Sequence, residues 1–180
     1  MEMEIIDFGT TRLAVSSFAP GQRAETAARL ASVTSGIDNC NICHTESGAP
    51  YIKGHEEIHI SISHSSKHLA VATDASLPVG VDIETRRSVT LRRIAPRILT
   101  EEEMFCYYCN DEMLLRAWTL KECLIKVARL TLFDYRRDLR LPLNGLRARV
   151  FGQECEVLHS EMWHDEMLTL VRLLPRQHQP

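Results

Sequence analysis

The sequence predicts an α+β fold, with antiparallel strands packed on helices in one body. Three observations carry that expectation. Period-2 alternation marks half-buried strands near both ends, clearest where Ile58, Ile60 and Ile62 alternate with His59, Ser61 and Ser63. A 3.6-period apolar stripe, the mark of a packed helix, runs through about residues 112–130. No repeat, linker or low-complexity tract divides the 180 residues, enough to bury one sizeable core.

The elements follow in order. Residues 4–8 and 12–18 read as a hairpin around Gly9-Thr10. Pro20-Gly21 breaks the chain, and residues 22–33 then have helical Ala/Leu composition. Residues 34–54, rich in Ser, Asn, Gly and Pro, read as loop with room for a short strand. The isoleucine strand ends at His64-Ser65-Ser66, residues 69–73 form a short strand, and 74–78 turn into a third strand at 79–84. Ser88 reads as the cap of a helix that Pro96 ends. Thr100-Glu101-Glu102-Glu103 is a capping box that opens the next helix. In the long helix Leu114, Ala117, Trp118, Lys121, Leu124, Ile125 and Ala128 make the inner stripe, with Glu122 and Lys126 on its flank. Residues 147–151, 154–163 and 167–173 close the chain as an antiparallel meander.

An apolar fraction of 44% and a charged fraction of 25% are ordinary for a soluble globular protein. A formal net charge of −3 and the absence of long Lys/Arg runs argue against nucleic-acid binding. The acidic start Met1-Glu2-Met3-Glu4 has no basic region followed by an apolar run, so the expected compartment is the cytoplasm. Six cysteines there suggest free thiols. Cys40-x-x-Cys43 and Cys106-x-x-Cys109 together match four-thiolate zinc spacing. The second pair lies in a helical segment without a knuckle-forming Gly or Pro, which favours scattered reduced cysteines.

Two stretches carry chemistry. In Val79-Gly80-Val81-Asp82-Ile83-Glu84 the alternation puts Asp82 and Glu84 on one strand face, Cβ atoms roughly 6–7 Å apart. Like charges there repel and call for a cation or hydrogen-bond donors. Trp118, Glu122 and Lys126 are spaced i, i+4, i+8, one helical stripe bearing an aromatic, a carboxylate and an ammonium. Three carboxylates and a lysine can bind a hard cation and an anionic phosphate together. Bland alternatives stand beside this: Glu122 and Lys126 as an exposed salt bridge, Trp118 as core packing, His64 as a turn histidine, Glu103 as the capping residue.

The segments Ser61-Ile62-Ser63-His64-Ser65, Gly80-Val81-Asp82-Ile83-Glu84 and Trp118-Thr119-Leu120-Lys121-Glu122 with Lys126, in this order over about residues 48–130, resemble the 4′-phosphopantetheinyl transferase superfamily. The resemblance implies two similar α/β lobes, roughly residues 1–75 and 76–180, related by a pseudo-twofold axis with coenzyme A between them. It implies transfer of the 4′-phosphopantetheine of coenzyme A to a serine of an acyl or peptidyl carrier protein, with Mg²⁺, by a monomer. On the matching positions Asp82, Glu84 and Glu122 hold the metal, and Glu122 alternatively activates the serine hydroxyl. Lys126 neutralises phosphate charge, while Ser63, His64 and Arg29 hold coenzyme A phosphates; Glu103 matches an acidic position near the metal. Arg86, Arg87, Arg92 and Arg93 offer a basic face to acidic carriers. The chain departs from the family pattern at Gly48-Ala49-Pro50, where a lysine is usual in the middle, with Lys53 nearby, and at Ser66, where glycine is common. These departures keep open a non-catalytic relative that binds coenzyme A or a carrier, and the cysteines a zinc-stabilised interaction domain.

Overall fold

The computed structural model describes residues 3–85, 88–129 and 138–176. The first hairpin forms as its alternation predicts. Strands β1 (Met3–Phe8) and β2 (Thr11–Ser17) pair antiparallel, from Met3 opposite Ser16 to Phe8 opposite Thr11. Helix α1 (Arg23–Ser35) follows and ends on Gly36, whose φ of 77° is the left-handed conformation that glycine adopts freely. The polar stretch after it holds two short strands, β3 (Ile42–His44) and β4 (Pro50–Ile52), paired with each other. Three residues each are too few for an alternation to register in the sequence.

Strands β5 (His59–His64) and β6 (His68–Asp74) extend the hairpin into a four-stranded antiparallel sheet, order β1-β2-β6-β5. Leu30, Ala31, Ile60, Leu69 and Val71 fill the core between this sheet and α1. A second sheet begins with β7 (Val79–Thr85). Helices α2 (Ser88–Ile98), α3 (Glu101–Tyr107) and α4 (Asp111–Ala128) come next. The short β8 (Leu139–Arg140) and the expected meander, β9 (Arg147–Val150), β10 (Gln153–Trp163) and β11 (Glu166–Leu173), complete the order β7-β11-β10-β9-β8.

Pro96 does not end α2 but lies inside it, two residues before its last residue. Proline removes one N–H close to the helix end, and buried Leu91, Ala95 and Leu99 pack into the α4 core. That packing outweighs one lost hydrogen bond. The capping box at Thr100 and Glu103 forms in full. The Asn110 side chain caps α4 by accepting from the Met113 N–H, and Arg129 closes its other end; the expected end at residue 130 lies outside the described residues. No helix among the described residues is long and apolar enough to cross a membrane.

The sheets share one apolar layer: Leu13, Val15, Ala70 and Ala72 from the first meet Val81, Ile83, Leu168 and Leu170 from the second. Strands β5 and β7 are edge strands of their sheets and lie against each other. The N–H groups of Val81 and Ile83 on β7 donate to the hydroxyls of Ser61 (3.0 Å) and Ser63 (3.3 Å) on β5. Two serine side chains thus cover an edge that a further strand would otherwise pair.

Candidate active site at the seam of the sheets

Alternation along β7 sends Val79, Val81 and Ile83 into the shared layer and Gly80, Asp82 and Glu84 towards α4. A Cβ on Gly80 would sit 2.2 Å from the Cys123 carbonyl oxygen, so only glycine lets the helix lie this close to the strand. That approach brings Lys126 over Asp82.

Asp82 is 7% exposed, and its Oδ1 accepts from Ser63 Oγ at 2.7 Å and from Lys126 Nζ at 2.9 Å. Lys126 Nζ also donates to the Val81 carbonyl at 2.7 Å. Asp82 thus receives a donor from β5 of the first sheet and a cation from α4. Burial disfavours the Lys126 charge, but Asp82, then Cys123 and Glu122, outweigh it and hold its pKa above the ordinary lysine value. Glu122, one turn earlier on α4, acts with Asp82 on the buried Cys123 thiol, which burial first and then these carboxylates push well up. Asp82, Glu122 and Lys126 thus share one neighbourhood. Glu84 is half-buried, and its Oε1 accepts from the Thr85 N–H at 3.0 Å.

Among the described residues no group of three or more His, Cys, Asp or Glu side chains is gathered tightly enough to hold a metal. The donor set still suits Mg²⁺, a hard ion that keeps several waters and needs only one or two protein carboxylates beside substrate phosphate.

The first sheet places its candidates differently. The Ser63 hydroxyl is committed to Asp82 and to the Ile83 N–H. His64 is exposed; its Nε2 accepts from Arg23 Nη1 at 2.8 Å, which leaves the proton on Nδ1, 3.2 Å from the Ser65 carbonyl. Arg29 Nη2 donates to Ser16 Oγ at 3.3 Å. Ser16 and His64 both oppose Leu69, so Arg23, Arg29 and His64 gather at one corner of the sheet. Arg23 carried no signal in the sequence, since its partner lies 41 residues away. Glu103 does not reach the seam: it caps α3 and accepts from the fully buried Lys121 at 2.9 and 3.0 Å.

A pocket of about 280 Å³ opens beside Lys126 between the sheets. Gly48, Ala49, Pro50, His59, Ser61, Lys126 and Arg129 are among the residues that line it. Lys53 is exposed and is not among its lining residues. The six cysteines are free thiols: Cys40 is buried in the α1 core, Cys43 lies on β3, and Cys106 and Cys109 sit on α3 and just beyond it. They do not assemble the four-thiolate site that their spacing allowed. Of the basic face, Arg92 pairs with Asp111 at 2.7 Å, and Arg86 and Arg87 lie outside the described residues.

Residues 78–164, which contain β7 and α4 with Asp82, Glu84, Glu122 and Lys126, match the family model of the 4′-phosphopantetheinyl transferase superfamily. Over that stretch, a little under half of its length, the chain is similar to this superfamily. A 4′-phosphopantetheinyl transferase of Bacillus subtilis is 30% identical to it over 122 residues, which cover 64% of this chain and 50% of that protein. The chain therefore aligns with about half the length of this curated relative. The superfamily match includes the strand–helix half of the site, whereas Ser63, His64 and Arg29 lie outside it.

Proposed function

We propose that the chain transfers the 4′-phosphopantetheine of coenzyme A to a serine hydroxyl of an acyl or peptidyl carrier protein, with Mg²⁺ bound. The observation that supports this most is Asp82, fixed between Ser63 of the first sheet and Lys126 of helix α4, beside the pocket and within the field of Glu122. Bound Mg²⁺ supplies Lewis-acid polarisation of the pyrophosphate, and Asp82, Glu84 and Glu122 would hold it.

In this reading the coenzyme occupies the inter-sheet pocket. The carrier serine attacks its pyrophosphate, and adenosine 3′,5′-bisphosphate leaves. Lys126, held charged by Asp82, neutralises charge that builds on the phosphate oxygens. Glu122 either ligates the metal or takes the serine proton. Ser63 works through Asp82, whose carboxylate it orients. His64 and Arg29, with Arg23 beside them, offer cationic and hydrogen-bonding groups to the coenzyme's phosphates.

The test incubates the full chain with coenzyme A, Mg²⁺ and several apo-carriers and weighs the carriers by mass spectrometry. We expect one carrier to gain one phosphopantetheine. Ala49, which lines the pocket where the family pattern has lysine, favours a second reading, a relative that binds coenzyme A without turnover. Coenzyme binding with no carrier gaining mass would select that reading.

A further inference from the structure

We infer that the Arg129 guanidinium is the anion-binding group of the inter-sheet pocket, holding a phosphate of the ligand that fills it. The identity of that ligand as coenzyme A rests on the function proposed above; the anion site rests on this chain's own geometry. Five charged or titratable residues line the pocket among the described residues: Tyr51, Glu56, His59, Lys126 and Arg129. Glu56 accepts from the Gly54 N–H at 3.0 Å, and Lys126 already faces one carboxylate, that of Asp82. No carboxylate among the described residues pairs with Arg129. Its charge is available to a ligand.

The backbone supplies an independent observation. Arg129 closes α4 in the left-handed conformation, φ 53° and ψ 40°, with its N–H on the Ile125 and Lys126 carbonyls. Helix α1 ends in the same conformation on Gly36, the residue that adopts it without steric cost. A long cationic side chain at such a position is strained, as are Asn39, Phe151 and His164, and residues strained in this way are enriched at ligand clamps and active sites. His59 fits the same site. Burial first, and then the Arg129 charge, keep its pKa low, so a neutral imidazole stands beside the guanidinium and can hydrogen-bond an anion. The competing explanation is structural: a cation at a helix C-terminus complements the helix dipole.

Arg129→Gly separates the two. Relief of the left-handed strain should raise the melting temperature of the full chain by about 2–4 °C. The same change should weaken binding of inorganic pyrophosphate and of coenzyme A about tenfold by calorimetry at low salt. Arg129→Asn, which tolerates the backbone conformation, should lose the same affinity, and Arg129→Lys should keep most of it. Pantetheine, which has no phosphate, should bind all variants alike. Wild-type affinity for both phosphate probes in Arg129→Gly and Arg129→Asn would overturn the inference while leaving the coenzyme reading intact. If the wild type binds pyrophosphate in an Arg129-dependent way but not coenzyme A, the anion site stands and the coenzyme reading falls.

Discussion

Asp82 shows how one side chain can be both a structural joint and a chemical group. Its Oδ1 carries the Ser63 hydroxyl from the first sheet and the Lys126 ammonium from α4, so the carboxylate cannot be removed without consequence on either side. Asp82→Ala leaves a half-buried ammonium without its counter-charge, and we expect it to cost about 2–3 kcal/mol of stability. Asp82→Asn keeps an oxygen acceptor at the same place and removes only the charge. It should unfold within about 1 kcal/mol of wild type yet lose roughly two to three orders of magnitude in carrier modification. Thermal melts and the carrier-mass assay read the two effects separately. Full activity in Asp82→Asn would mean that the carboxylate charge has no part in the chemistry.

Helix α4 carries the other half of the site, and a buried ion pair anchors it. Lys121 is fully buried; its Nζ donates to both Glu103 oxygens and, at 2.7 Å, to the Leu139 carbonyl, while Glu103 Oε1 accepts from the Leu141 N–H at 2.7 Å. Burial lowers the Lys121 pKa, although Glu103 opposes that shift. Lys121→Met fills the space but strands a buried carboxylate, so we expect a loss of about 3 kcal/mol in urea unfolding. An unchanged midpoint would show that the pair adds no net stability. The sequence placed Lys121 on the inner stripe without a reason for a lysine there, because its partner is 18 residues away on another helix. The same limit explains the other misses. Strand alternation and capping chemistry are local, so β5, β7, the capping box and the closing meander were legible. Alternation also put serines at 61 and 63, but their service to the β7 edge depends on how two sheets meet, which no local pattern records. Strand β8 is two residues long, and Pro96 stays helical only because α4 receives the face around it.

At the scale of the molecule, the site exists only while the two sheets stay in register, since Ser63 and Lys126 reach Asp82 from opposite sides. Polar ties reinforce the shared apolar layer at both ends of the seam. At one end His68 Nδ1 lies 2.6 Å from Oε2 of the fully buried Glu166, joining β6 to β11. At the other, buried Asp74 accepts from Thr10 of the β1–β2 turn (2.9 Å), from Thr11 at the start of β2 and from the N–H groups of Ser76 (2.7 Å) and Leu77 (2.9 Å), where the chain crosses between the sheets. Arg172 of β11 lies 3.8 Å from the same carboxylate. Burial pushes the Asp74 carboxyl up, but the Thr11 hydroxyl, the two backbone N–H groups and Thr10 together hold it below its ordinary value of 3.8. A carboxyl depressed in the folded state binds protons more readily once unfolded. Its contribution is therefore complete above about pH 4 and is lost as the pH falls through the lower, folded value. We expect Asp74→Asn to be about 1–3 kcal/mol less stable than wild type at neutral pH, with the gap narrowing steadily below pH 4. Urea unfolding of both proteins across that range measures the gap, and a gap that stays constant with pH would remove Asp74 as the charged tie. Because the tie spans both sheets, the loss in acid should appear as one cooperative transition, with circular dichroism and tryptophan fluorescence midpoints coincident.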